Sequence, residues 1–129
     1  MEEIRRLGDA ELEIMQIVWA NKKPITSKEI LLRIRQRVWR LSTLITVLNR
    51  LSDKGYLYCD RTMRENLYSA LIMQSSYLYR ENKIFLEKLY DNSLCKFMTS
   101  LCDSKAVSKE ELVKVRDYLN SFVEENPGE

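Results

Sequence analysis

The residues with the clearest chemical potential lie in one stretch, residues 39–57. Apolar residues recur there at helical spacing before Gly55, so the sequence predicts a helix over about 41–53, followed by a strand. The side chains predicted to face a core are Leu41, Leu44, Ile45, Leu48 and Leu51. The opposite face then carries three hydroxyls and one guanidinium, those of Ser42, Thr43, Thr46 and Arg50.

These outward side chains suit contact with DNA. Short side chains let a helix enter a groove, hydroxyls can donate to phosphates or base edges, and an arginine can fork onto guanine or a phosphate. The hypothesis is therefore that residues 41–53 form the recognition helix of a helix-turn-helix. An ordinary surface helix fits this stretch equally well, and the stretch alone does not separate the two.

Composition argues against an enzyme. The chain has 129 residues, 45% of them hydrophobic and 31% charged, which is typical of a folded protein. It has no histidine, no nucleophile motif and no glycine-rich phosphate loop, so we expect no catalysis and no cofactor. Cys59, Cys95 and Cys102 lack metal-type spacing, so no metal site is expected. They are interpreted as buried, reduced thiols, with a redox sensor as the alternative.

Charge is divided unevenly along the chain. Residues 1–72 hold 13 Lys and Arg against 9 Asp and Glu, whereas residues 73–129 hold 8 against 10. The N-terminal part is thus the better candidate for meeting a polyanion. No segment resembles a signal peptide or a membrane span of about 20 residues, so we expect a cytoplasmic protein without stable membrane association.

Two further helices are predicted before the central one. The first runs from Leu7 to Trp19 and the second from a Thr26–Glu29 capping box to about Arg37, with Ile25 as a short strand residue between them. Basic residues precede the central helix, and they are interpreted either as phosphate contacts or as a solvated face: Arg33, Arg35, Arg37 and Arg40.

A hairpin is predicted after the central helix. Residues 56–60 and 66–71 have aromatic, partly alternating character typical of strands, and the link between them carries Arg61 and Arg64. Three helices followed by a hairpin is the order of a winged helix-turn-helix, so residues 1–72 are predicted to be a winged-helix DNA-binding domain. The two arginines would then contact the DNA backbone, unless this link is an ordinary solvated turn.

The remaining residues, 73–129, are predicted to be helical, with a break at Asp91–Ser93 and a second capping box at Ser108–Glu111. The overall fold class is mainly α with one small β-hairpin. The helical region is interpreted as a dimerisation region, with folding back onto the winged domain as the alternative. The apolar positions assigned to it are Leu78, Phe85, Leu89, Leu94, Phe97, Leu101, Leu112, Leu119 and Phe122.

Segments along nearly the whole chain resemble the BlaI/MecI penicillinase-repressor family. LGDAELEIMQIVW at 7–19 resembles its opening helix, and TLITVLNRL at 43–51 with KGYL at 54–57 resembles its recognition helix and first wing strand. FLEKLY at 85–90 and SKEEL at 108–112 resemble its dimerisation region. No single motif is highly specific, but their order and spacing together are.

The resemblance implies a transcriptional repressor that binds palindromic operator DNA as a homodimer and controls an antibiotic-resistance operon. It places base-facing residues at Ser42, Thr43, Thr46 and Arg50. It also implies, for β-lactam-responsive members, a membrane sensor protease and cleavage in the dimerisation helix. The corresponding position here is Ile84–Phe85 rather than Asn followed by Phe, which weakens that expectation. The paired Cys-x-Cys cluster of copper-responsive relatives is missing.

Two other functions fit the same pattern. One is a winged-helix regulator of another operon that responds to a bound effector. The other is a protein-interaction module that uses a winged helix without binding DNA, and it would lack a steep dependence on salt.

Overall fold

The computed structural model describes residues 6–34, 38–126 and 128. Its elements in chain order are α1 (Asp9–Ala20), α2 (Ser27–Arg33), α3 (Leu41–Asp53), β1 (Leu57–Asp60), β2 (Leu67–Ala70), α4 (Gln74–Tyr90), α5 (Leu94–Asp103) and α6 (Lys109–Glu125). The chain separates into two compact units, Met1–Arg80 and Glu81–Glu129. The predicted functional boundary at 72/73 stays a prediction.

Helix α1 begins at Asp9, two residues after the predicted start at Leu7. Gly8 is the N-cap, and its backbone N–H donates to Glu11 Oε1 over 2.9 Å. The same oxygen accepts from Lys54 Nζ at 2.7 Å, across 43 residues of sequence. Glu11 is buried, and its carboxylate therefore joins the first turn of α1 to the end of α3.

The second helix is shorter than predicted. The Thr26 hydroxyl accepts from the Glu29 backbone N–H at 3.2 Å, so the capping box is confirmed. The helix ends at Arg33, however, because Ile34 already has extended backbone angles (φ −74°, ψ 124°). The predicted end near Arg37 is therefore wrong, and Arg35 and Arg37 lie outside the described residues. Ile30 is fully buried, and Ile34 packs against the core at its edge.

Helix α3 spans the predicted residues, 41 to 53, and ends as predicted at Gly55. Gly55 has φ +85°, a conformation that residues with a Cβ rarely adopt. The Tyr56 N–H donates to the Leu51 carbonyl at 2.9 Å across this turn. The chain thereby reverses direction and enters the hairpin with Tyr56 and Leu57 buried.

The hairpin pairs β1 with β2 in antiparallel register, with Leu57 opposite Ala70 and Asp60 opposite Leu67. Ile25 adds the predicted short strand: it exchanges two backbone hydrogen bonds with Tyr68, at 3.0 and 2.8 Å. The hairpin is thus tied to the turn between α1 and α2. Three helices followed by this hairpin confirm the winged helix-turn-helix arrangement.

The core of the first unit is apolar and draws on all of its elements. Trp19 lies at its edge, where the indole Nε1 donates to the Ile72 carbonyl at 2.9 Å and the ring packs on Tyr77 with centroids 5.6 Å apart. The buried apolar residues are Ile14, Met15, Val18, Ile25, Ile30, Leu44, Val47, Leu48, Leu51, Tyr56, Leu57, Tyr68 and Tyr77.

The second unit has a break between helices at the predicted place. Asp91 and Asn92 have positive φ values, 51° and 60°, and the Ser93 hydroxyl caps α5 by accepting from the Lys96 N–H at 3.1 Å. Ser108 caps α6 in the same way, accepting from the Glu111 N–H at 3.1 Å. Phe85, Tyr90 and Phe97 form an aromatic cluster with centroid separations of 5.2 to 5.6 Å.

None of the helices described here is both long enough and apolar enough to cross a membrane.

We predict that Glu11→Gln destabilises the first unit by about 1–3 kcal/mol at neutral pH, because it leaves the Lys54 ammonium without its carboxylate. Burial raises the pKa of Glu11, but hydrogen bonds from Lys54 and Gly8 outweigh burial and hold that pKa below its ordinary value of 4.5. The stabilisation is therefore complete above pH 4.5 and disappears as the pH falls through the lower pKa of the folded state.

Urea unfolding of the wild type and the variant at neutral pH and at about pH 3.5 measures this difference. The matched control is Glu65→Gln, which removes an exposed ion pair with Lys28 (3.7 Å). That loss should stay below about 1 kcal/mol. Equal losses for the two variants, or a Glu11 effect that persists unchanged at low pH, would contradict the prediction.

Candidate nucleic-acid interface

Helix α3 has one buried and one exposed face. Leu44, Leu48 and Leu51 are fully buried and Val47 nearly so, which fixes the rotation of the helix about its axis. We define the outer face of α3 as the exposed side chains opposite this core, namely Ser42, Thr43, Ile45, Thr46, Asn49 and Arg50. The structure therefore brings the four predicted base-facing residues together on one exposed surface.

Two residues predicted to face the core do not. Leu41 and Ile45 are 37% and 38% exposed, whereas Val47, which was not assigned to the core, is buried. The reason is angular: at 100° per residue, Ile45 lies about 110° from the centre of the buried face and Val47 only about 50°. Ile45 therefore adds apolar surface to the outer face of α3.

The hydroxyl of Thr46 is already partly engaged. Its Oγ1 donates to the Ser42 carbonyl, one turn earlier, at 3.0 Å. It can still accept a hydrogen bond, but its only donor is used. The prediction that this face donates hydroxyl hydrogen bonds therefore applies to Ser42 and Thr43 more directly than to Thr46.

The predicted basic cluster is only partly visible in the described ranges. Arg40 is exposed and is the N-cap residue of α3, so its side chain starts where the helix begins. Arg33 Nη1 donates to Asn21 Oδ1 at 2.7 Å, which directs it toward the turn after α1. Of these two, Arg40 is the better placed to act beside the outer face of α3.

The tip of the hairpin is an ordered turn. Asp60 Oδ1 accepts from the Thr62 hydroxyl at 2.6 Å and from its backbone N–H at 2.9 Å. These two hydrogen bonds from Thr62 lower the pKa of the Asp60 carboxyl below its ordinary value. Arg61 and Arg64 are exposed on either side of Thr62, so the turn presents two cations to solvent.

The cysteines correct an expectation. Cys59 is half-buried and packs against the core, but Cys95 and Cys102 are exposed on α5, so their interpretation as buried thiols is wrong for the single chain. Burial, together with the neighbouring Cys59 thiol, raises the pKa of the Tyr68 phenol above its ordinary value of 10.0.

The second unit offers a different kind of surface. In the single chain, none of its described side chains is buried. Six of the positions assigned to dimerisation are exposed, from 39% for Phe85 to 63% for Leu89. The other four are Leu94, Leu119 and Phe122 in the second unit and Leu78 in the first. Phe97, Leu101 and Leu112 are half-buried. Ile84 and Phe85 both lie inside α4, so the bond between them is part of a helix.

Asn49 was missed by the sequence interpretation. It is exposed on α3 between Thr46 and Arg50, and it belongs to the outer face as defined above. A count of helical angles would have found it, because Asn49 follows Ser42 by seven residues and Thr46 by three, the spacing of one helix face.

Comparisons with known proteins agree with this geometry. The penicillinase repressor family model matches residues 7–121. The chain is 29% identical to a penicillinase repressor of Bacillus licheniformis over 119 residues, covering 92% of this chain and 93% of that one. It is 28% identical to the methicillin resistance regulatory protein MecI of Mammaliicoccus sciuri over 115 residues, covering 88% and 93%.

Solved structures that match about 60% of the chain include two of BlaI. The solution structure of the DNA-binding domain of the repressor BlaI has a TM-score of 0.51 at 32% identity and covers 60% of this chain and 94% of its own. The structure of monomeric Bacillus licheniformis BlaI in complex with the blaP half-operator gives 0.50 at 32% identity, with the same coverage.

We predict that Asp60→Ala loosens the hairpin tip without unfolding the unit, because it removes both hydrogen bonds to Thr62 from a turn whose residues 61–64 are exposed. Amide hydrogen exchange at Thr62 should accelerate, while exchange of the buried Leu51 and Tyr56 amides stays unchanged. Asp53→Ala, which removes an exposed carboxylate from α3, is the control. If Thr62 exchanges at the same rate in all three proteins, Asp60 does not order the turn.

Proposed function

The chain belongs to the penicillinase repressor family, and we propose that it represses an antibiotic-resistance operon by binding a palindromic operator as a homodimer. That it is a DNA-binding transcriptional repressor follows from its family and from the matching structures of BlaI. The family role is regulatory rather than enzymatic. The observation that carries the proposal is the outer face of α3, which is exposed because the opposite face is locked in the core.

In this proposal α3 enters the major groove. Ser42, Thr43, Thr46 and Arg50 face the base edges, where hydroxyls and a guanidinium find acceptors. Support comes from their common exposure on one side of a helix whose rotation is fixed.

Three arginines would position the protein on the DNA backbone. Arg40 flanks the start of α3, and Arg61 and Arg64 project from the ordered hairpin tip. Phosphate contacts of this kind fix orientation without reading sequence. Because the Asp60–Thr62 turn holds the tip, the two cations can reach phosphates with less loss of conformational freedom.

The second unit would form the dimer. Its exposed apolar side chains have no cover in the single chain, and a soluble domain rarely leaves so much apolar surface unpaired. A two-fold dimer places two copies of α3 about one turn of DNA apart, or a multiple of it, matched to a palindrome. Binding by both halves would bring affinity to about 10⁻⁸–10⁻¹¹ M.

Repression would be steric, since a bound dimer excludes RNA polymerase from the promoter, and it would take place in the cytoplasm, where the DNA is. Release follows from loss of the dimer. Cleavage by a membrane sensor protease between Ile84 and Phe85 would achieve it, because α4 leads directly into the aromatic cluster of the second unit. A protease needs an extended substrate, so this helix would first have to open locally.

A salt titration tests the DNA-binding part of the proposal. The logarithm of the affinity for a duplex from the gene's own promoter should fall steeply and linearly with the logarithm of salt concentration. Arg61→Ala and Arg64→Ala should each reduce the magnitude of that slope by about 1 per half-site, since each removes one phosphate contact. Arg116→Ala, in α6, should leave it unchanged. A shallow slope for the wild type would instead indicate a protein-interaction module.

The dimer is tested with Leu89→Asp. Leu89 is 63% exposed in the single chain, so the substitution should not disturb folding, but it would place an unpaired carboxylate in the proposed interface. Sedimentation equilibrium should give twice the 15.4 kDa chain mass for the wild type and the single mass for the variant. Leu71→Asp, at an equally exposed leucine outside the second unit, should remain dimeric. Dimeric Leu89→Asp would remove Leu89 from the interface.

A further inference from the structure

A central stripe along the exposed side of α3 includes two residues, Asn49 and Asp53, that the family resemblance did not identify. Ser42, Thr46, Asn49 and Asp53 follow one another at intervals of four, three and four residues, which places them along one line of the helix. At 100° per residue, Asn49 lies about 150° from the centre of the buried face, compared with about 110° for Arg50 and about 90° for Thr43. Asn49 therefore points more directly away from the core than either of them.

The amide of Asn49 is uncommitted. Within the part of the chain that the structure describes, its side chain makes no hydrogen bond, whereas the hydroxyl of Thr46 already donates to the Ser42 carbonyl. Both the NH₂ and the carbonyl oxygen of Asn49 are thus available to an external partner.

Asn49 has no evident structural task. It is the ninth of the thirteen residues of α3, so it caps neither end, and it is exposed, so it fills no part of the core. Asparagine is also one of the poorer helix formers, because its side chain competes for backbone hydrogen bonds. Its presence at the outermost line of this helix is better explained by recognition than by folding.

The neighbours of Asn49 favour base contact over phosphate contact. Ser42 and Thr46 are short, so the helix can approach the floor of the groove along this stripe. Asp53 closes the stripe with an exposed carboxylate, which phosphates would repel, and this confines the reading part of α3 to the turns before it.

We infer that Asn49 is a specificity-determining residue that reads one adenine in each half-site through its side-chain amide. In the major groove adenine presents the N7 acceptor beside the N6 amino donor, and an asparagine amide matches both: its NH₂ donates to N7 while its oxygen accepts from N6. No other base offers this pair in that order. The inference rests on the proposed function, since it requires α3 to lie in the major groove.

The first test compares the sequences that full-length proteins select from a pool of randomised duplexes. The wild type should select a palindromic motif with an invariant adenine in each half. Asn49→Ala should select the same motif without that adenine preference, and its affinity for the wild-type motif should fall roughly 10- to 100-fold. Asn120→Ala, an exposed asparagine of α6, is the matched control and should retain the full motif.

The outcomes separate the inference from the proposed function. If the wild type selects no motif at all, the proposed function fails. If Asn49→Ala selects the unchanged motif with unchanged affinity, the proposed function stands and the role of Asn49 is wrong. Circular dichroism and thermal unfolding accompany each variant; Asn49→Ala should melt no lower than the wild type, because alanine is the stronger helix former.

A second test assigns the contact to atoms. Replacing the selected adenine with 7-deaza-adenine removes the N7 acceptor but keeps base pairing. The wild type should lose roughly 10-fold in affinity for this duplex, whereas Asn49→Ala should lose nothing further, because the two changes remove the same hydrogen bond. Equal losses for both proteins would mean that another group contacts N7, and would overturn the assignment.

Discussion

Helix α3 can offer a face to DNA only because its other face is fixed. Leu44, Leu48 and Leu51 are fully buried, and each such side chain contributes about 1.5–3 kcal/mol relative to its exposed state. Rotating the helix to hide its polar residues would forfeit most of that energy. The core therefore determines which side chains point outward, and the outward side chains are free to vary in chemistry without a cost in packing. In such a helix, the residues that determine folding lie on one face and the residues that could determine binding specificity lie on the opposite face.

The end of α3 carries a second constraint. The helix must stop, reverse at Gly55 and deliver the chain into the hairpin. Lys54, next to that glycine, is paired with the buried Glu11 at the start of α1, so the turn is held to a distant element by charge as well as by its own backbone bonds. Opening this pair would leave a carboxylate in the core and loosen the hairpin from α3, which links the stability of the unit to the geometry of its candidate interface.

Local sequence patterns predict much of the fold and of the candidate interface. The features that they do not predict depend on contacts between residues distant in the sequence. The bounds of α3 and the stop at Gly55 follow from a 3.6-residue period and from glycine's tolerance of positive φ. The early end of α2 at Arg33 could not be predicted in this way, because Ile34 is compatible both with a longer helix and with an extended residue packed on the core. The Glu11–Lys54 pair spans 43 residues, so no local pattern signals it. Asn49, in contrast, could be predicted from the sequence, because its angular position on α3 places it on the exposed side.

The second unit differs from the first because its helices are well defined but its described side chains form no buried core. Its helices are well capped, at Ser93 and Ser108, and the Phe85–Tyr90–Phe97 cluster joins α4 to α5. Yet within the residues described, none of its side chains is buried, and Leu89, Leu94 and Val123 are each more than half exposed. Capping and one aromatic cluster define helices but do not supply a core, and exposed leucines on adjoining helices gain free energy only when another apolar surface covers them. A second copy of the same unit offers a surface of that kind without any further partner. If DNA binding needs two copies of α3, as proposed, it would depend on the part of the chain that has the least buried surface of its own.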